Sequence, residues 1–284
     1  MNTANKLAMV AAAVATVFGA TGAFAQNFTY NNTDLLLNFR QQPVGGSASI
    51  SDVTFDLGNV STFLATYGNS SVVLNSASVS KFDASLLTGA TGAGYGSLNN
   101  VYFSVAASDN NAANTTTVNA LWMSALRNSS TDNTVAGSTM KNAVNQATQS
   151  GSAANIASVG SQASQFGTAL SPNSVKTVDA TTGYNAVSLG GTYGNYFTGT
   201  EGFTGAAFAS TDKVRVDLWS LQGGLGRTGN VPAVYQGFFE LSGNGDMTWV
   251  GKGFTGVVPE PTTYGILAGL GMLALTTRRQ LRRA

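Results

Sequence analysis

The chain has 284 residues with no cysteine and no histidine, and only 10% of them are charged against 43% hydrophobic. This excludes disulfides, thiol chemistry, Ser-His-Asp triads and histidine-based zinc sites, while leaving enough apolar residues for a core. Overall charge is +1; setting aside Lys6, Glu260 and the four terminal arginines leaves nine basic and 12 acidic residues, a body near −3 with no basic stripe and no expectation of nucleic acid as partner.

Residues 1–25 read as a secretory signal peptide. Lys6 supplies the positive start, residues 7–19 are an apolar stretch, and Ala23-Phe24-Ala25 is a small-x-small cleavage site that leaves Gln26 as the new N-terminus. Residues 26–256 follow as one extracytoplasmic body. Residues 33–40 form a short apolar run. Residues 53–57, 78–87 and 101–105 alternate or are rich in β-formers, and Gly, Asn and Ser clusters separate them. Short strands between turn signals predict a mainly β fold, a sandwich or jelly-roll-like body.

Residues 118–126 fit strand or helix equally. Residues 138–149 carry helical spacing at Met140, Val144 and Ala147, with Ser138 as N-cap and Gly151 as terminator. Residues 154–166 continue the helical pattern more weakly, so helix in the body is predicted only over 138–166. Residues 171–210, rich in Gly, Thr and Tyr, read as loops and short strands. Residues 212–221 alternate, with Val214, Val216 and Leu218 on one face and Lys213, Arg215, Asp217 and Trp219 on the other. Residues 237–241 and 247–250 predict a hairpin about a Gly-Asn-Gly turn.

Residues 257–284 have three parts in order. Val258-Pro259-Glu260-Pro261 is held extended by its two prolines, which fix φ and remove two donors. Residues 261–277 can form a helix spanning about 25 Å, marginal for a hydrocarbon core and weakened by Gly265, Gly269 and Gly271. Arg278, Arg279, Arg282 and Arg283 then hold the C-terminus on the cytoplasmic side. An ordinary stop-transfer anchor shares the helix and the arginines; only the proline-bracketed motif speaks for processing.

That order resembles the PEP-CTERM sorting domain of exported proteins in Gram-negative bacteria that make exopolysaccharide. The resemblance implies recognition and removal of the tail by an exosortase, a membrane-embedded enzyme. It also implies transient residence in the inner membrane and an association with exopolysaccharide or biofilm. The Asp-Leu-Leu-Leu-Asn-Phe-Arg segment at residues 34–40 is similar to the opening of one group of PEP-CTERM proteins, and no function comes with that likeness.

Other chemistry is sparse. Asp212, Asp217, Glu240 and Asp246 are the carboxylates that a glycan-processing site could use, since two suffice. Asp109-Asn110-Asn111 and Asn244-Gly245-Asp246 could offer oxygen ligands to calcium, but neither matches an EF-hand loop. Tyr193, Tyr196, Trp219 and Trp249 are candidates for stacking on sugars. No cofactor is expected. The leading expectation is a non-enzymatic exported protein of the cell surface, outer membrane or extracellular matrix. A carbohydrate-binding module comes second, and a carboxylate-based glycan-processing enzyme third.

Overall fold

A computed structural model describes residues 28–41, 51–128, 132–140, 146–177, 184 and 199–256. Its framework is β1 (Asp34–Gln41), β2 (Asp52–Asn59), β3 (Ser71–Val73), β4 (Val101–Ser108), β5 (Leu121–Leu126), β6 (Thr168–Ser171), β7 (Ser174–Thr177), β8 (Gly202–Phe203), β9 (Lys213–Leu221), β10 (Val234–Ser242) and β11 (Met247–Gly251). All eleven belong to one antiparallel sheet in the order β3-β11-β10-β9-β5-β4-β1-β2-β7-β6, with β8 paired to β4 off that path. The body is therefore mainly β, as the alternation predicts. The two facing sheets of a sandwich or jelly roll are replaced by a single sheet that curls.

The curl follows from which side chains share a core. Phe39 of β1, Phe55 of β2 and Phe103 of β4 lie on the same face as Val216, Leu218, Phe239 and Trp249 from the other half of the sheet. Strands several places apart can share one core only if the sheet bends round it. Phe39 packs against Phe55, Phe82 and Phe103 at centroid distances of 5.8, 5.5 and 5.8 Å. At the other end Phe63 meets Trp249 at 5.4 Å and Phe239 meets Trp249 at 4.7 Å. The alternation read along residues 212–221 holds: Val214, Val216 and Leu218 face this core, and Arg215, Asp217 and Trp219 do not.

Two helices were not anticipated. α1 (Val60–Tyr67) starts where β2 ends, and Asn59 caps it by accepting from the Ser61 and Thr62 amides at 3.0 and 3.2 Å. Its Phe63 fills the inner core. Val60, Phe63, Leu64 and Tyr67 have helical spacing, a signal that the strand-rich context overrode. α2 (Ser85–Thr88) and the turns before it occupy much of residues 78–87, where alternation predicted a strand.

α3 (Gln146–Phe166) is the helix predicted over 138–166, with different limits. It runs through Gly151 instead of ending there, and residues 141–145 of the predicted helix lie outside the described residues. The described residues 132–140 are not helical, and Ser138 gives its amide and hydroxyl to Asp217 instead. Ala153, Ile156, Val159 and Ala163 recur at helical intervals and pack onto the outer face of the sheet with Leu36, Ala106, Met123 and Val175. The small residues let the helix sit close. A Cβ at Gly160 would overlap the Tyr30 ring, so this glycine marks the contact between helix and N-terminal arm.

The hairpin of β10 and β11 forms as predicted, Phe239 opposite Trp249 and Leu241 opposite Met247. Among the described residues, no helix is long and apolar enough to cross a membrane. The signal peptide and the predicted transmembrane helix lie outside those residues.

Candidate functional site

The sequence concentrates function in the tail, so the part of the structure that bears on it is the end of the body from which the tail leaves. β11 ends at Gly251, whose amide donates to the Ser70 carbonyl at 2.9 Å. The next residues are tied down one after another. The Lys252 amide donates to Gln236 O at 3.0 Å, the Gly253 amide to Gly68 O at 3.1 Å, and the Phe254 amide to Gly251 O at 3.0 Å. A Cβ at Gly253 would overlap the side-chain amide of Asn69, which would have to move aside.

Asn133 closes this junction from the other side. Its buried amide donates to Gly251 O at 3.1 Å and to Phe254 O at 2.6 Å. One side chain thus holds both the last residue of the sheet and the residue three places on. These two hydrogen bonds, one of them shared with the Phe254 amide at Gly251 O, are together worth on the order of 1–2 kcal/mol.

Asn133 is placed by an ion pair beneath it. Arg127 follows β5, and Asp217 is mid-strand in β9. Their charged ends meet with both side chains fully buried. Arg127 Nη2 also donates to the Asp132 carbonyl and, at 3.2 Å, to Val135 O, fixing the backbone on both sides of Asn133. Nη1 reaches the Tyr235 hydroxyl at 3.1 Å, and the guanidinium lies 4.5 Å from the Phe238 ring centroid. The other Asp217 oxygen accepts from the Ser138 amide and hydroxyl at 2.7 and 2.6 Å. Burial, with the nearby Asp217 charge adding to it and Arg127 opposing, pushes the Tyr235 phenol well up, so it stays a neutral hydrogen-bonding group. A buried charge pair with its hydrogen bonds filled serves geometry more than net stability. Here the geometry is that of residues 132–138 and the tail exit.

The remaining candidates have structural partners. Glu240 bridges Arg215 at 2.6 Å and Lys213 at 3.2 Å across the β9–β10 pair. Asp212 accepts from the Ala209 amide at 2.8 Å, and Asp246 accepts from the Asn75 and Asn244 side-chain amides, both at 2.8 Å. The four carboxylates are spread over separate local networks, with no acid and base facing each other.

Asp109 is the hub of its own loop. Its carboxylate accepts from Thr117 at 2.5 Å, Asn32 at 2.7 Å, Asn114 at 2.9 Å and the Asn111 amide at 3.1 Å. Burial pushes this carboxyl up, but those bonds outweigh it and hold it below the ordinary range. Among the described residues, no cluster of three or more acidic side chains could hold a metal ion.

The aromatic candidates divide. Trp249 is fully buried in the inner core, its indole N–H bonded to Tyr67 O at 2.9 Å, so it cannot stack on a sugar. Trp219 is half-buried against Tyr235, and its N–H donates to Ser138 Oγ at 3.1 Å. Tyr193 and Tyr196 lie outside the described residues, as do Ala23, Ala25, Val258, Pro259, Glu260, Pro261, Arg278, Arg279, Arg282 and Arg283.

Two cavities open among the described residues. One of about 600 Å³ is lined by Leu126, Asn128, Gly137, Ser138 and Gly199. The other, about 430 Å³, has Phe55, Phe82 and Leu170 with Lys81, Asp83 and Asn173. Neither gathers the candidate carboxylates.

The body and junction define the class first: a β-rich domain whose last described turn is locked to its own core. Residues 257–283 match the PEP-CTERM protein-sorting motif, so the chain carries the signal that the tail's three parts suggested. The matched span contains the Val258–Pro261 run and all four arginines. Comparison with curated proteins and with solved structures finds no match. The motif implies an exported protein, sorted by an exosortase.

Proposed function

We propose that this is a non-enzymatic protein of the cell surface or extracellular matrix, held in the inner membrane as a precursor and freed when exosortase removes its tail, and that it works in association with exopolysaccharide. The observation that carries the reading is the sorting motif at residues 257–283, directly behind a body whose candidate carboxylates are engaged in structural networks. Asp217, Glu240 and Asp109 hold strands and loops, and Trp249 fills the core. That supports a scaffold or displayed body over a carboxylate enzyme. The tail acts as a transient handle: prolines keep the motif extended, the helix is too short and glycine-rich for lasting residence, and the arginines stop the C-terminus inside.

Replacing Pro259, Glu260 and Pro261 together with alanine is expected to leave a membrane-bound precursor of unprocessed mass. Fractionation and intact-mass measurement on the native host decide it. Release of the triple variant at the wild-type mature mass would remove the motif's role as a processing signal.

A further inference from the structure

We infer that the exit face of the body, formed by Asn69, Thr134, Lys252 and Phe254, is a contact surface that rests on the outer face of the processing enzyme. This deepens the exosortase reading above and depends on it. The argument is one of reach. Among the described residues, Phe254 is the last with backbone partners on the body: its carbonyl is held by Asn133 and its amide by Gly251. Five residue steps separate it from Pro259, and a fully extended chain covers at most about 18 Å in that distance. An enzyme that grips the Val258–Pro261 run must surround it, and the folded body stands within that distance.

The junction cannot lengthen the tether cheaply. To free Phe254, its carbonyl would have to leave the Asn133 amide and its own amide would have to leave the Gly251 carbonyl. To free Gly253 and Gly251, the chain would have to leave the Gly68–Ser70 turn, to which both amides are bonded. Behind Asn133 stands the buried Arg127–Asp217 pair, which keeps residues 132–138 in place. The exit face is therefore the part of the body nearest the gripped motif, with the β10–β11 turn at the far end of the hairpin. Five residues of β11 at strand rise put that turn on the order of 17 Å further away.

The exit face is mixed: Asn69, Thr134 and Lys252 are exposed, with Phe254 half-buried. It carries no cluster of cations that would draw it to anionic headgroups, which favours the enzyme over lipid as its neighbour.

The test uses the full-length precursor in cells that contain the exosortase. A photo-cross-linking amino acid is placed singly at Lys252, Thr134 or Asn244, the last an exposed position in the β10–β11 turn. Lys252 and Thr134 are expected to label the enzyme several-fold more than Asn244. In a second precursor, an insert of about 20 Gly and Ser residues after Thr255, spanning roughly 25 Å, is expected to be cut normally while the labelling at Lys252 falls to the Asn244 level. Equal labelling at all three positions, or labelling of lipid in place of the enzyme at Lys252 and Thr134, overturns the contact surface while cleavage continues. If no precursor is cut, wild type included, the processing reading itself fails and the contact falls with it.

Discussion

The two faces of the sheet are built from different materials. The inner face is a continuous apolar layer with seven aromatic rings, contributed by Phe39, Phe55, Phe63, Phe82, Phe103, Phe239 and Trp249. The outer face combines a helix of small residues with fully partnered charges: Arg127 with Asp217, Glu240 with Lys213 and Arg215, and Arg40 with Glu201. Apolar burial is non-directional, so the inner face supplies stability without specifying where loops go. Hydrogen-bonded ion pairs contribute little net stability but dictate position. In this protein the outer face fixes the segment that holds the tail exit.

The sharpest test of that division is Trp249→Ala. Removing a fully buried ring that touches Phe63 and Phe239 is expected to cost about 4 kcal/mol, read as a lowered midpoint in chemical denaturation. A loss below about 1 kcal/mol would mean that the inner core is not the main source of stability.

Asp217→Asn probes the outer face. It leaves Arg127 buried without a countercharge, and a loss of about 3 kcal/mol is expected. The distinguishing readout is local. Amide exchange in residues 132–138 and 252–256 should speed up more than in β1 or β4, because Arg127 and Ser138 both lose their anchor. Uniform acceleration throughout the body would erase the contrast between the faces.

Asp56 supplies a pH test. Burial raises its carboxyl to about 6, with the nearby Asp34 charge adding to this and the Gly58 amide and Lys81 opposing it. A pKa above the unfolded value means that the folded state binds the extra proton. That contribution is complete below about pH 4 and is lost as pH rises through 6. Asp56→Asn keeps an oxygen for the Gly58 amide and removes the titration. The variant is expected to be more stable than wild type at pH 8 by up to about 2 kcal/mol, with the gap closing toward pH 4. A constant difference across that range would rule out Asp56 as the source.

The smallest global effect belongs to Asn133→Ala, about 1 kcal/mol, with exchange at the Gly253 and Phe254 amides rising while that of β9 is unchanged. Unaltered exchange at the junction would show that Gly68–Ser70 alone holds it.

Local pattern made much of this protein legible in its residues. Alternation along 212–221 and the glycine turn at 243–245 identify β9 and the β10–β11 hairpin, because strand period and turn chemistry depend only on neighbours in the chain. The sorting tail was equally readable, since proline, apolar run and arginine act in sequence order. The capped start of α1 carried a signal at Asn59, but the strands around it masked the helical spacing of Val60, Phe63 and Tyr67. Ser138 has every local mark of an N-cap, yet Asp217, 79 residues away, takes its amide and hydroxyl. Whether the strands formed two sheets or one, whether Trp249 faced sugar or core, and that Asn133 would hold Phe254 depended on pairings between distant segments. Those pairings are chosen by burial and partner geometry in three dimensions, and one residue's neighbours in the chain carry no record of them.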